Sequence, residues 1–86
     1  MSESRILFSL HALDVLEERE ISEVWVRRVI ECPAVQHPDP SDHTLVHALG
    51  PIPERGGRVL RVVYNRNVEP IRVVTAYFDR TMRGKL

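Results

Sequence analysis

The sequence predicts an α+β fold in which two N-terminal helices pack on one face of a three- or four-stranded antiparallel sheet, as one domain over residues 1–86. Three observations lead there. Apolar residues recur at helical spacing in two stretches between Ser9 and Ile30, and each stretch follows a serine suited to an N-cap. Two later runs, residues 58–64 and 71–78, are dense in Val, Ile, Tyr and Phe and have the composition of paired strands. A length of 86 residues leaves room for one core, and a hydrophobic fraction of 43% is near the globular average. Domains this small are marginally stable, so a homodimer or a heteromer that completes the apolar surface is expected.

Taken in order, Ser9 precedes Leu10, Ala12, Leu13, Val15 and Leu16, which predicts an amphipathic helix from about Ser9 to Arg19 with Asp14, Glu17 and Glu18 facing water. After a break at Glu20 and Ile21, Ser22 caps a second helix whose stripe is Trp25, Val26, Val29 and Ile30, closed by Pro33. Glu23 and Arg27, four apart in the favourable order, mark its exposed face. Residues 33–42 are rich in Pro, Asp and Ser and read as a connecting loop. His43 to Leu49 reads as a strand, residues 50–57 as a long turn, and residues 65–70 as the loop of a terminal hairpin. Alternation along the first hairpin strand puts Val59, Arg61 and Val63 on one face and Leu60, Val62 and Tyr64 on the other. The polar tail after Asp79 reads as a fraying end or a short helix. No repeat or low-complexity segment interrupts this order.

The formal net charge is zero, but the two parts of the chain oppose each other. Residues 1–54 carry four Lys/Arg against ten Asp/Glu, giving −6, and residues 55–86 carry eight against two, giving +6. Eleven of the twelve basic residues are Arg, whose planar fork suits bidentate contact with phosphate or carboxylate. An anion-binding patch and ordinary ion pairing between the halves both follow from this. The single Cys32 cannot form an internal disulfide, and no charged start with an apolar run resembles a secretory signal, so a reducing cytoplasm is expected. Charges interrupt every apolar stretch before it reaches the roughly 18 residues that span a bilayer, so no membrane partner is expected.

Several constellations offer chemistry. Cys32, His37, Asp39, Asp42, His43 and His47 are metal-ligand types. On a strand, however, His43 and His47 stand about 13 Å apart and cannot share one ion, so no metal is assigned. Cys32, beside Pro33 at a helix end, reads as structural, and Gly56-Gly57 without a following Lys-Ser/Thr reads as a turn rather than a phosphate loop. Trp25 lies on an apolar stripe and reads as core. His11 stands three residues before Asp14, which either orients it as a general base or is a surface contact. The densest set is Arg58, Arg61, Arg72, Arg80 and Arg83 with Tyr64, Thr75 and Tyr77, on or beside the terminal hairpin. Fixed cations for phosphoryl oxygens and rings for unpaired bases are what an RNA-binding surface needs. A solvated strand face balanced by acidic helices has the same composition.

The stretch F-S-L-H-A-L-D-V-L-E-E-R-E-I-S, Phe8 to Ser22, resembles the H-A-x-x-R-x-x-x-R-x-I-S opening of a family of short bacterial proteins of unknown function. His11 and Arg19 match that pattern, and Val15 stands where it has Arg. L-R-V-V-Y, residues 60–64, and V-V-T-A-Y, residues 73–77, look like the last two strands shared by that family and the RelE/BrnT-like toxins. What the resemblance implies is a RelE-like arrangement of two helices on an antiparallel sheet, in proteins that often cleave RNA without a metal or other cofactor and pair with an antitoxin.

Two functions from different classes follow as expectations. The first is a toxin-like, metal-independent ribonuclease with Arg61 and Arg80 stabilising developing charge. Its proton transfer falls to His11, His43, His47 or Tyr77, RNA is held by Arg58, Arg72, Arg83 and Tyr64, and an acidic antitoxin covers the basic face. The second is a non-catalytic, homodimeric interaction module.

Overall fold

In a computed structural model of the protein, which describes residues 6–86, two helices cover one face of a five-stranded sheet. The elements run β1 (Ile6–Phe8), α1 (Leu10–Arg19), α2 (Glu23–Glu31), β2 (Val35–Pro38), β3 (Leu45–Ile52), β4 (Arg58–Asn65) and β5 (Ile71–Phe78). Single 3₁₀ turns cover Pro53–Arg55 and Arg80–Met82. The helices start where serine caps them. Ser9 Oγ accepts from Ala12 N–H at 3.0 Å and Ser22 Oγ from Val24 N–H at 3.1 Å, each satisfying an otherwise orphaned amide. Between them Glu20 adopts a left-handed conformation, φ 57°, which turns the chain and drops Ile21 into the core.

The strand order is β1-β5-β4-β3-β2. The central pairs are antiparallel as expected, but β1 runs parallel to β5, so the sheet is mixed and has five strands rather than three or four. Both missed strands are edges. β1 has only three residues, too few for a periodicity to register. β2 lies in what reads as a Pro-rich loop, and its Pro38 is tolerated because an edge strand leaves one side unpaired. β3 continues through Gly50 and Pro51 to Ile52. β2 pairs only Val46 to Leu49, so Pro51 borders no strand on that side.

The core lies between sheet and helices. Ala12 and Leu16 of α1 and Val26 and Val29 of α2 pack on Val46, Ala48, Ile52, Leu60, Val62, Val73 and Ala76, all buried. Burial at about 25 cal/mol per Å² makes this layer the main source of stability. Gly50 lets α2 approach closely, since a Cβ there would lie 3.3 Å from a Val29 methyl. Trp25 meets Phe78 edge-on, with ring centroids 6.4 Å apart, and is half-buried at the margin of the core. Cys32 caps α2 and is exposed, so packing gives it no structural role.

Candidate functional site around Arg61

The sheet face turned away from the helices carries a polar cluster assembled by strand register. His37 on β2 pairs with His47 on β3; Leu49, two residues on, pairs with Arg61 on β4; Arg61 in turn pairs with Tyr77 on β5. Because residues two apart share a face, His37, His47, Arg61 and Tyr77 stand together, and Asp79 follows two residues beyond Tyr77. Asp39 reaches in from the β2–β3 loop.

Arg61 is the hub. Its Nε and Nη2 donate to Asp79 Oδ2 at 3.0 and 2.7 Å, and its Nη1 faces His47 Nδ1 at 2.9 Å and His37 Nε2 at 3.3 Å. His47 Nε2 lies 2.7 Å from Asp39 Oδ1, and His37 Nδ1 lies 3.0 Å from the Pro38 carbonyl. The two imidazoles stack with centroids 5.0 Å apart and planes at 17°. Side-chain exposures of 14% for Arg61, 13% for His47 and 11% for Asp79 place the cluster in a partly dried site.

Proton positions follow from the partners. A guanidinium only donates, so the ring nitrogens facing Arg61 accept; a carboxylate and a carbonyl only accept, so His47 Nε2 and His37 Nδ1 carry the hydrogens. Both rings are thus neutral in this arrangement, with their lone pairs on the same guanidinium nitrogen. The carboxylates are held ionised. Hydrogen bonds from Thr81, then from Arg61, pull the Asp79 carboxyl below its ordinary range. His47, then the Ser41 amide, does the same for Asp39.

The expected site residues divide by location. Arg61 is the centre, and Tyr77 stands across from it, 37% exposed. Arg58, Arg80 and Arg83 gather with Val59, Phe78 and Asp79 around a cavity of about 590 Å³ at the end of β4 and β5, so Asp79 belongs to both places. Arg72 is exposed near the opposite end of β5, level with Leu7 and Asn65. Tyr64 lies on the helix-packed face, buried, its hydroxyl accepting from Gln36 Nε2 at 3.3 Å, and burial pushes its phenol upward. It offers no ring to a base. His11 is exposed on α1, separated from Arg61 by the sheet, and His43 is exposed in the turn before β3.

His37 and Asp39 are visible in the sequence only as metal-ligand types, and Asp79 carries no signal there. The clue is parity. Once Val35–Pro38 is taken as a strand paired with β3, His37 and His47 fall opposite each other. Among the described residues no group of three or more His, Cys, Asp or Glu is placed to hold a metal ion, and no helix is long and apolar enough to cross a membrane. No curated protein and no solved structure matches the chain. A family described as a domain of unknown function, DUF4258, matches over residues 8–78, most of the 86, and the chain belongs to that family.

Proposed function

We propose that the chain is a metal-independent, toxin-like endoribonuclease whose reaction centre is His47, Arg61 and His37. The observation that carries the reading is the 2.9 Å contact of Arg61 with His47 Nδ1 while Asp39 holds the far nitrogen of the same ring. A phosphodiester entering the face draws Arg61 Nη1 onto a non-bridging oxygen, which uncovers the His47 lone pair. His47 Nδ1 then takes the proton of the ribose 2′-hydroxyl, whose oxygen attacks phosphorus, and Asp39 stabilises the imidazolium that results. Arg61, oriented by Asp79, stabilises the added negative charge of the transition state. The bond from phosphorus to the 5′ oxygen breaks, and that oxygen takes the proton that His37 Nε2, freed by the same movement of Arg61 Nη1, has drawn from solvent, leaving a 2′,3′-cyclic phosphate and a 5′-hydroxyl. Solvent exchange restores both rings. The resemblance of residues 60–64 and 73–77 to toxin strands supports the same class, and an acidic antitoxin is the partner that the basic Arg58, Arg80 and Arg83 would suit.

Cleavage of mixed-sequence RNA in chelator, with products checked for 2′,3′-cyclic ends, tests this. His47→Ala and Arg61→Ala are each expected to lower the rate by about 10²–10³. The rate should be bell-shaped in pH, because one histidine acts neutral and the other protonated. Wild-type protein that leaves RNA intact, or His47→Ala that cuts as fast as wild type, refutes the assignment.

A separate surface favours an interaction module. On the helices Leu10, Leu13 and Val24 are exposed, Leu10 by 82%. A homodimer through this surface predicts a concentration-dependent mass that Leu10→Glu abolishes in sedimentation.

A further inference from the structure

We infer that the cavity lined by Arg58, Val59, Phe78, Asp79, Arg80 and Arg83 is a second phosphate site, which holds the terminal or flanking phosphate of the strand whose scissile phosphate sits at Arg61. The inference rests on the proposed function for the identity of that strand, and on the cavity itself for the phosphate.

Charge is the first argument. Among the described residues Arg58, Arg80 and Arg83 take part in no ion pair, whereas Arg28, Arg61 and His47 each meet a carboxylate. Three arginines lining one concavity beside a single carboxylate leave an excess of positive charge there, which an anion offsets. The cavity's one carboxylate does not supply it. Asp79 Oδ2 accepts from Arg61, and Asp79 Oδ1 accepts from Thr81 N–H at 3.0 Å and from the Thr81 hydroxyl at 2.6 Å. Counting Arg58, Arg61, Arg80 and Arg83 against Asp79, the neighbourhood carries +4 − 1 = +3.

Preorganisation is the second argument. The Arg58 guanidinium lies 4.6 Å from the Phe78 ring centroid and Arg55 lies 5.7 Å from the same ring, so Arg58 is held against an aromatic face. A guanidinium fixed in this way loses little freedom on meeting a phosphate and presents a planar fork suited to two of its oxygens. About 590 Å³ is the size of a small-molecule cleft and admits a phosphate with its sugar. Asp79 links the two places: it orients Arg61 on the face away from the helices and also lines the cavity, which Arg58 and Phe78 reach from the helix-packed face, so the two phosphate positions meet around the end of β4 and β5.

The probes are mixed-sequence dinucleotides with no terminal phosphate, with a 5′-phosphate or with a 3′-phosphate, each as cleavable RNA and as the 2′-deoxy analogue that cannot be cut. The added phosphate at one end is expected to lower the KM of the RNA probe, and the Kd of the deoxy probe by calorimetry, by about tenfold. Both ratios should fall to near one in Arg80→Gln/Arg83→Gln. These two side chains are exposed, so the variant is expected to fold, and unchanged thermal unfolding checks this. If the RNA is cut but neither phosphate improves binding, the second site is refuted and the proposed function stands. If nothing is cut yet the deoxy probes show an arginine-dependent gain, the phosphate site stands and the ribonuclease reading falls. If the gain survives in the double variant, the phosphate binds elsewhere and the assignment is overturned. Binding of an acidic peptide to the cavity with no response to either phosphate also overturns it.

Discussion

The two faces of the sheet are built from the same strands by opposite means. On the helix side, Leu60, Val62 and Ala76 meet Ala12, Leu16 and Val26; among the described residues no charged side chain is buried there, and Arg19 of α1 reaches only the margin, donating to the Ala76 carbonyl at 2.9 Å. On the other side, Val59, Val63 and Leu49 are just as well buried, yet among the described residues neither α1 nor α2 packs there, and the Arg80–Met82 turn meets β4. Register sets Arg61 beside Leu49 and His47 beside Val63, and the polar tips of Arg61, His47 and Asp79 bond one another. A strand with large side chains on both faces thus belongs to two layers at once. One layer is held by area, and the other by a network whose members must all be satisfied.

The largest effect should come from the first layer. Leu60→Ala removes a fully buried side chain under the helices and is expected to cost about 3 kcal/mol, within the usual range for such truncations. Leu49→Ala, 1% exposed on the other face, should cost about 2 kcal/mol, because long polar side chains collapse into a void more readily than two helices do. Urea unfolding of both variants measures the difference. A Leu49→Ala cost at or above that of Leu60→Ala would mean that the polar face is as rigid as the core.

Next comes the network itself. Asp79→Asn keeps the shape but leaves Arg61 half-buried without its counter-charge, and it weakens the cap on Thr81. The expected loss is about 2 kcal/mol in chemical unfolding. Replacing Arg61 as well, in Arg61→Met/Asp79→Asn, should recover part of it, since an uncompensated charge costs more than an absent pair. A double variant less stable than Asp79→Asn would show that the guanidinium is held mainly by the histidines rather than by the carboxylate.

How far each layer is legible follows from the same contrast. The helix stripes, their serine caps and the 71–78 strand are local patterns, and the sequence reading has them within a residue or two of their observed bounds. Arg61 stands out because it breaks a valine run, and alternation groups it with Val59 and Val63, as observed. Its partners were hidden for a physical reason: His37, His47 and Asp79 come from three other elements, and only register brings them near. β2 concealed half of that register, because proline and polar residues on an edge strand look like a loop. The alternative in which acidic helices balance the arginine-bearing strand face does not hold at Arg61, whose carboxylate is Asp79 from its own hairpin. The Arg28–Glu54 pair lies wholly within residues 1–54, so among the described residues no ion pair joins the acidic and basic halves. The RelE-like part of the expectation rests on the resemblance alone.

Close approach between α2 and the sheet gives a smaller effect. Gly50→Ala places a Cβ 3.3 Å from a Val29 methyl, so helix or side chain must give by a few tenths of an ångström, at about 1 kcal/mol. Val29→Ala removes the obstructing methyl groups, so the two substitutions should couple, with Gly50→Ala neutral or favourable in the Val29→Ala background. Strict additivity in unfolding would place the contact elsewhere.

The smallest effect separates a surface pair from the network by pH and salt. Arg28 donates to both oxygens of Glu54, at 2.8 and 2.7 Å, and holds that carboxyl at about 2, down from 4.5. The folded value is the lower one, so between about 4.5 and 2 the unfolded chain binds more protons, and stability falls as pH falls through that window. Asp39, Asp42 and Asp79 are lowered as well and act with the same sign below the ordinary carboxylate range. Urea midpoints between pH 6 and pH 2.5 should therefore decline in wild type and decline less in Glu54→Gln. The two sources respond differently to salt. Arg28 and Glu54 are 41% and 46% exposed, whereas Arg61 and Asp79 are 14% and 11% exposed. Raising ionic strength from about 0.1 to 1 M shortens the screening length from about 10 to 3 Å and acts mainly on the exposed pair. At high salt the Glu54→Gln and wild-type curves should converge, while the remaining acid loss, carried by Asp79 and Asp39, persists. If high salt abolishes that remainder too, the Arg61 cluster is no drier than the surface, and the contrast between the two charge pairs disappears.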